Sequence, residues 1–150
     1  MKTKHSKESI REILETANLK PTVQRLSLLQ YLLEDADHPT AEQVRDWAYG
    51  HLGQISQATV YNTLNSLVSA GIIRQFKFGH SDCVIYDCNV SDHFHFLDET
   101  SGKLFDIQTH EIKLKSRLPN HFQLKSIDIL FRGTVDPKGQ NLQVKGMNQS

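Results

Sequence analysis

The stretch that decides the fold is residues 92–106, DHFHFLDETSGKLFD. Polar and apolar residues alternate along it, break at residues 100–102 (Thr-Ser-Gly) and then resume an extended pattern. This pattern predicts a strand, a turn and a second strand. Because successive side chains of a strand point to opposite faces, His93 and His95 share one face of the first strand.

The register of this hairpin predicts a metal site. If Asp98 pairs with Lys103 across the turn, Asp106 lies directly opposite His95, with Cβ atoms roughly 5 Å apart. Two imidazoles, those of His93 and His95, then converge with one carboxylate, a combination that suits a divalent transition metal. The alternative is a polar strand face that solvent wets. The added carboxylate favours the metal.

Composition limits the class of protein. A chain of 150 residues forms one domain or two small ones and can bury a modest core. Lys plus Arg equals Asp plus Glu, 17 each, so no global positive field indicates nucleic acid, although a local basic patch can suffice. The sequence has no apolar run of transmembrane length and no signal-peptide core at its N-terminus, which predicts a soluble, cytoplasmic protein.

The first half of the chain has the order of a winged helix-turn-helix domain. A capping box, Thr40 with Gln43, predicts the start of one helix. Four helices and a hairpin are predicted in sequence. The helices cover residues 7–17, the stripe Val23, Leu26, Leu29, Leu32 and Leu33 after Pro21-Thr22, the segment carrying Val44, Trp47 and Ala48, and residues 56–70; the strands cover 72–78 and 83–87.

The fourth helix, residues 56–70, carries no Lys, Arg, Asp or Glu. Uncharged hydrogen-bonding side chains can contact base edges in a major groove, with Asn or Gln suited to adenine. The alternative is an ordinary amphipathic helix. The polar side chains offered are Ser56, Gln57, Thr59, Tyr61, Asn62, Thr63, Asn65 and Ser66, and the candidates for phosphate contacts are Lys2, Lys4, Lys7, Arg25, Arg74 and Lys77.

Residues 89–91 are predicted as a hinge between a DNA-binding domain, residues 1–88, and a second domain, residues 92–150. After the His-rich hairpin, the pattern predicts a helix over 109–118 and a strand over 124–131, followed by a polar tail. The second domain is therefore predicted as a small α/β unit, which makes the chain α+β overall. Pairing with a second copy would cover its sheet and present two recognition helices to a palindromic site.

In these residues the sequence resembles the ferric uptake regulator family, over residues 10–132. The resemblance implies a winged-helix DNA-binding domain, a dimerisation domain and a regulatory metal held between them. Carried over position by position, the family's ligands fall on His38, Asp87, His93, His95 and Asp106. The segments that carry the resemblance are 21–25 (PTVQR), 38–41 (HPTA), 58–64 (ATVYNTL), 91–95 (SDHFH), and Gly102-Lys103 leading to Asp106.

Two positions resemble the peroxide-sensing branch of that family: Asp106, where iron-uptake regulators carry Glu, and Asn62 after Tyr61. This branch implies one Fe(II) or Mn(II) site per subunit, as the imidazole and carboxylate ligands also allow. The resemblance further implies that peroxide oxidises a ligand histidine, at positions matching His38 and His93, after which metal and DNA are released. The residues assigned to DNA are Arg25, Ser56, Gln57, Thr59, Tyr61, Asn62 and Lys77.

The sequence departs from the family where members commonly carry two C-x-x-C pairs that bind structural zinc. The first pair's positions hold Asp98 and Ser101, and the second falls near Val135 and Lys138. The structural zinc is therefore predicted to be absent. The chain's two cysteines, Cys83 and Cys88, form no C-x-x-C pair and are predicted to be structural. An additional site at His110, Glu111 and His121 is an alternative to a solvated face.

Two other functions are consistent with these residues. The first keeps the fold and changes the signal: an iron- or manganese-responsive regulator that is insensitive to peroxide. The second, from another class, is a non-haem iron oxygenase, because two histidines and one carboxylate can form a facial triad. The charge-free helix has no role in the oxygenase, and five ligands leave little room for substrate and oxygen together.

Overall fold

The computed structural model describes residues 4–78 and 82–138 and divides the chain into two compact units, Met1–Ser91 and Asp92–Ser150. Within the described residues, no helix is both long and apolar enough to cross a bilayer. Unit 1 contains α1 (Lys7–Thr16), α2 (Val23–Glu34), α3 (Ala41–His51), α4 (Gln57–Ser69), β1 (Arg74–Lys77) and β2 (Val84–Asp87), and unit 2 contains β3 (His93–Asp98), β4 (Leu104–Gln108) and β5 (Leu130–Gly133).

Each helix of unit 1 begins at a hydroxyl side chain that accepts a backbone N–H of the first turn. The predicted capping box is confirmed, because the Thr40 hydroxyl accepts from the Gln43 N–H while the Gln43 side chain accepts from the Thr40 N–H. After α4 the chain turns at Gly71, whose φ of 71° suits a residue without a Cβ. Capping residues therefore determine where each of these helices begins, and Gly71 marks where α4 ends.

The core of unit 1 is built from the apolar stripes of the helices. Leu14 of α1, Leu28 of α2 and Leu64 of α4 are all fully buried. Burying each such side chain contributes about 1.5–3 kcal/mol relative to exposure. One predicted core residue is wrong: Val23 is 78% exposed, because it lies in the first turn of α2, and Leu28 packs in the core instead.

The hairpin of unit 1 is antiparallel, with Arg74 paired to Asp87 and Lys77 to Val84. Its predicted turn falls largely on residues 79–81, which lie outside the described part of the chain. Four helices followed by this hairpin give the winged helix-turn-helix order predicted from the sequence.

Unit 2 contains a three-stranded sheet in the order β4-β3-β5, with β3 and β4 antiparallel and β3 and β5 parallel. The predicted register is confirmed: His95 pairs with Asp106, and the Asp98 N–H donates to the Lys103 carbonyl across the turn at 2.9 Å. The strand β5 approaches closely at Gly133, where an added Cβ would lie 3.1 Å from Cζ of Phe96.

Two predicted elements of unit 2 are wrong. The helix over 109–118 is only a single 3₁₀ turn, Thr109–Glu111, and the strand begins at Leu130 instead of residue 124. Leu114 and Leu118 are each 50% exposed, so the apolar stripe is not fully packed against the described residues. A ten-residue helix without such packing is marginal, because the first turn is costly to form.

Candidate metal centre and DNA-recognition helix

Three donor side chains converge in unit 2. Nε2 of His93 lies 3.2 Å from Nε2 of His95, and Oδ1 of Asp106 lies 3.6 Å and 3.9 Å from those two nitrogens. The side chains of His93 and His95 are 0% and 3% exposed, whereas that of Asp106 is 30% exposed. The strand alternation and register described above place all three on one face, as predicted.

This geometry fits a bound transition metal. Two ligand atoms about 2.1 Å from the same ion lie roughly 3 Å apart when their bonds to it are perpendicular. The observed separations of 3.2–3.9 Å are close to that value. Imidazole nitrogen and carboxylate oxygen are also ligand atoms that Fe(II), Mn(II) and Zn(II) accept. Unit 2 therefore holds three donor side chains placed as a bound metal ion requires.

Unit 1 holds two further candidate metal ligands, His38 and Asp87. Asp87, at the end of β2, is 7% exposed, and its Oδ2 lies 3.3 Å from Nε2 of His38. An antiparallel β-bridge between Thr40 and Ile85, at which the Tyr86 N–H donates to the Pro39 carbonyl at 2.9 Å, holds the His38 loop against β2. The two residues assigned by resemblance alone are thus neighbours within unit 1.

His38 has two features that the sequence did not reveal. Its backbone lies in the left-handed region, with φ of 47°, a conformation that costs a non-glycine residue about 1–3 kcal/mol. Its Nδ1 also lies 2.9 Å from Oδ1 of Asp37, so a carboxylate faces each ring nitrogen. The only sequence signal for Asp37 was a carboxylate directly before a candidate ligand histidine, which alone is weak evidence.

The segment predicted as a hinge is tied to Asp87 by hydrogen bonds. Oδ1 of Asp87 accepts the Asn89 N–H at 2.7 Å, and Oδ1 of Asn89 accepts the Ser91 N–H at 3.3 Å and the Ser91 hydroxyl at 2.5 Å. The Ser91 carbonyl in turn accepts from Nη1 of Arg74, whose guanidinium lies 5.4 Å from the Phe76 ring centroid. Asp87, a candidate metal ligand, therefore also orders residues 89–91 by accepting a hydrogen bond from that segment.

The two cysteines lie in different environments, and both are free thiols. Cys88 packs against the core of unit 1 and donates to the Leu32 carbonyl at 3.1 Å, which fits the predicted structural role. Cys83 is exposed, so the structural role predicted for it is wrong.

The polar face of α4 is largely available to a ligand. Gln57, Asn62 and Asn65 are exposed, and Tyr61 packs against the core of unit 1 while remaining partly exposed. One residue of the predicted set does not belong to this face: Thr63 is 4% exposed, because it lies on the same side of the helix as Val60 and Leu67. The exposed residues leave uncharged donors and acceptors for base edges.

Three polar residues of the same helix are engaged locally. Oγ of Ser56 accepts the Thr59 N–H at 3.1 Å and lies 2.9 Å from the Thr59 hydroxyl, while the Ser66 hydroxyl donates to the Asn62 carbonyl at 2.8 Å. Ser56 therefore positions the start of α4, and a base contact from its hydroxyl would compete with the cap.

The candidate phosphate-binding side chains also have protein partners. Nη1 of Arg25 donates to the Lys20 carbonyl at 3.1 Å, and Nζ of Lys77 lies 3.4 Å from Oδ1 of Asp82. Both Lys77 and Asp82 are well exposed, so their ion pair is worth little and can open. Lys2 lies outside the described residues.

The model of the ferric uptake regulator family matches residues 16–131, which is most of the chain. The chain belongs to the ferric uptake regulator family. Its members are transcriptional regulators, so the oxygenase alternative is excluded, and the chain is a metal-dependent DNA-binding repressor of this family.

Relatives within the family differ in the signal to which they respond. The peroxide-responsive repressor PerR of Staphylococcus aureus is 32% identical over 117 residues, covering 78% of each chain. The ferric uptake regulator of Helicobacter pylori has a similar fold, with a TM-score of 0.65, 21% identity and coverage of 95% of this chain and 99% of that one. A zinc-bound manganese uptake regulator has a TM-score of 0.61, with 22% identity and coverage of 84% and 98%.

Where family members commonly carry the first cysteine pair, this chain has a hydrogen-bonded carboxylate. Asp98 is 7% exposed; its Oδ2 accepts the Ser101 hydroxyl at 2.5 Å, and its Oδ1 accepts the N–H groups of Thr100 at 3.2 Å and Val135 at 3.4 Å. These bonds, the Ser101 hydroxyl foremost, lower the pKa of Asp98. Asp98 thus joins β3, the following turn and the chain after β5 through hydrogen bonds.

The additional site considered as an alternative at His110, Glu111 and His121 does not assemble. Among the described residues, His110, Glu111 and His121 form no group of donor atoms close enough to share an ion. Glu111 instead accepts the Gln108 N–H at 2.8 Å, and the ring of His121 packs against that of Phe122. All three are exposed, as the alternative of a solvated face requires.

Proposed function

We propose that this chain is a peroxide-sensing repressor whose regulatory Fe(II) or Mn(II) is bound by ligands from both units. The observation that carries the proposal is the presence in each unit of a preformed half-set of nitrogen and oxygen donors. The ligands are His38, Asp87, His93, His95 and Asp106. Because His38 and Asp87 belong to one unit and the other three to the second, a shared ion would favour one arrangement of the units over others.

The donor chemistry supports iron or manganese in this role. Three imidazoles and two carboxylates contain no thiolate, which a site selective for zinc would be expected to offer. Fe(II) held by these ligands would supply the activation of hydrogen peroxide, so that one oxygen atom would be added to a carbon of a ligand imidazole and the other would leave as water. The protein's own contribution is to hold His38 and His93 as ligands, since only bound imidazoles lie close enough to be oxidised.

Peroxide sensing is supported by two further observations. The residue at the carboxylate position of β4 is Asp106, as in the peroxide-sensing branch, and the similarity to PerR of Staphylococcus aureus covers 78% of the chain. Oxidation of either histidine would lower the affinity for metal and so release DNA. The reaction consumes the ligand, which makes this a sensor that acts once and does not turn over.

DNA recognition is assigned to α4 and its surroundings. Gln57, Tyr61 and Asn62 would contact bases, Ser56 and Thr59 lie at the N-terminus of the helix, and Arg25 and Lys77 would contact phosphates. A two-fold homodimer would present two such helices, and the operator would accordingly be palindromic.

The structural zinc of the family is proposed to be absent. Asp98 and Ser101 offer no thiolate, and the Asp98 carboxylate already accepts three hydrogen bonds. Zinc analysis of the protein after dialysis against EDTA tests this point. We expect no retained zinc, and one zinc per chain that resists EDTA would contradict the proposal.

Selection from a random DNA pool tests the repressor function. With Mn(II)-loaded protein we expect enrichment of a palindromic sequence that EDTA releases, because metal favours the DNA-binding arrangement. Asp106→Asn, which weakens one ligand, should require more Mn(II) for the same binding. Equal binding of the enriched sequence with and without metal would contradict the proposal.

A metal-responsive regulator insensitive to peroxide is the second candidate. Its support is the similar fold of ferric and manganese uptake regulators. The DNA experiment does not distinguish the two candidates, but treatment of the Fe(II)-loaded protein with peroxide does, because only the sensor gains oxygen on His38 or His93.

A further inference from the structure

The imidazole of His38 lies between two carboxylates of unit 1. Its Nε2 faces Oδ2 of Asp87 at 3.3 Å, and its Nδ1 faces Oδ1 of Asp37 at 2.9 Å. The His38 side chain is 11% exposed, whereas that of Asp37 is 52% exposed. Asp37 is therefore in contact with the proposed ligand on the side away from Asp87.

The backbone leaves this ring little freedom. The φ of 47° at His38, the hydrogen bond from Tyr86 to the Pro39 carbonyl and the bridge from Thr40 to Ile85 together determine where the Cβ of His38 lies. The remaining variables are the rotations about the Cα–Cβ and Cβ–Cγ bonds, which decide whether Nε2 or a ring carbon faces Asp87. An acceptor at Asp37 selects the orientation in which Nδ1–H donates to it and Nε2 is presented as the ligand atom.

We propose that Asp37 is a positioning residue for His38: it orients the imidazole and holds its proton on Nδ1, so that Nε2 is the metal ligand. This inference rests on the proposed metal-binding function. Nothing in the resemblance assigns a role to Asp37; the contact with Nδ1 alone identifies it.

Mn(II) titration of the EDTA-stripped full-length protein tests the inference. Asp37→Ala removes the acceptor, and loss of a carboxylate that orients a ligand histidine typically lowers metal affinity by about 10-fold or more. Because Asp37 is half-exposed, we expect about 10-fold, the low end of that range. Asp37→Asn keeps an acceptor oxygen and should recover most of the affinity.

Asp35→Ala is the matched control. Asp35 is exposed, lies two residues before Asp37 at the C-cap of α2 and carries the same charge, so its replacement removes a nearby negative charge without removing the contact with His38. We expect its Mn(II) affinity to stay within about twofold of wild type, since no orienting bond is lost.

A second readout reports the orientation directly. In the nitrogen NMR spectrum of the Zn(II)-loaded protein, a diamagnetic probe, His38 of the wild type should show a protonated Nδ1 and a metal-bound Nε2. In Asp37→Ala the His38 signals should divide between the two nitrogens, while those of His93 and His95 stay unchanged.

The outcomes separate the inference from the function on which it rests. Equal Mn(II) affinities for Asp37→Ala and Asp35→Ala, with an unchanged His38 spectrum, would overturn the role of Asp37 and leave the proposed function intact. Failure of the wild-type protein to bind Mn(II) would overturn the proposed function and the inference together.

Discussion

The left-handed backbone of His38 predicts that the site is built at a cost in stability. In the metal-free protein, His38→Gly should be more stable than His38→Ala, because only glycine adopts a φ near 47° without a steric penalty. Both variants lack the imidazole, so the loss of its contacts with Asp37 and Asp87 cancels in the comparison. The difference in unfolding free energy between the two variants therefore reports the backbone at residue 38 alone.

Two opposing effects determine the magnitude. A left-handed conformation costs an alanine about 1–2 kcal/mol. Glycine loses about 0.4–1 kcal/mol more than alanine through the greater freedom of its unfolded chain. The net expectation is about 1 kcal/mol in favour of His38→Gly, or a factor of about five in the folding equilibrium constant.

Urea unfolding in EDTA, followed by the fluorescence of Trp47, measures this difference. Trp47 is the only tryptophan of the chain and stacks on Tyr31 within unit 1, so its emission reports the unfolding of that unit. The same pair of substitutions at Glu12, an exposed position inside α1, is the control. There the alanine variant should be more stable than the glycine variant by about 1 kcal/mol in the free energy of unfolding, because glycine is unfavourable inside a helix. If His38→Ala is as stable as His38→Gly, the strain argument is refuted.

Three other predictions follow from buried contacts. Because the pKa of Asp98 is lowered from its ordinary 3.8, the contribution of its carboxylate to folding stability is complete above about pH 4 and disappears as the pH falls through the folded-state pKa. In urea unfolding, the stability advantage of wild type over Asp98→Asn should therefore shrink from pH 7 to pH 3. A constant advantage would contradict this prediction. Leu64→Ala should destabilise unit 1 by about 2–5 kcal/mol in the Trp47 assay, since Leu64 is fully buried; a loss below 1 kcal/mol would contradict the packing. Asn89→Ala should speed hydrogen exchange of the Ser91 amide without changing that of α4, whereas unchanged exchange would show that the Asn89–Ser91 bond does not order the linker.

Local patterns were enough to predict half of the site. Alternation along residues 92–106 and a pairing across the turn determined which side chains share a face, and the register of His95 with Asp106 followed from them. Capping residues predicted the helix starts in the same way. These features depend only on residues a few positions apart, which is why the sequence alone sufficed.

Long-range contacts could not be predicted from the residues alone. The bridge from Thr40 to Ile85 brings His38 to Asp87, and no periodicity in the sequence signals it; the family resemblance supplied both residues. The contact between Asp37 and Nδ1 of His38 could not be predicted either, because it depends on the orientation of one imidazole ring. The helix predicted over 109–118 failed for a related reason: Leu114 and Leu118 are each 50% exposed, so little tertiary packing stabilises a helix there.

The central claim is that peroxide oxidises a ligand histidine, and mass spectrometry tests it most directly. The Fe(II)-loaded protein would be analysed intact before and after stoichiometric hydrogen peroxide, and peptides containing His38 and His93 would then be mapped, with the Mn(II)-loaded protein as control. We predict a gain of one oxygen atom on either histidine, absent with Mn(II) and accompanied by release of DNA. Unmodified histidines in a protein whose DNA binding still depends on metal would contradict the claim and identify a metal-responsive regulator.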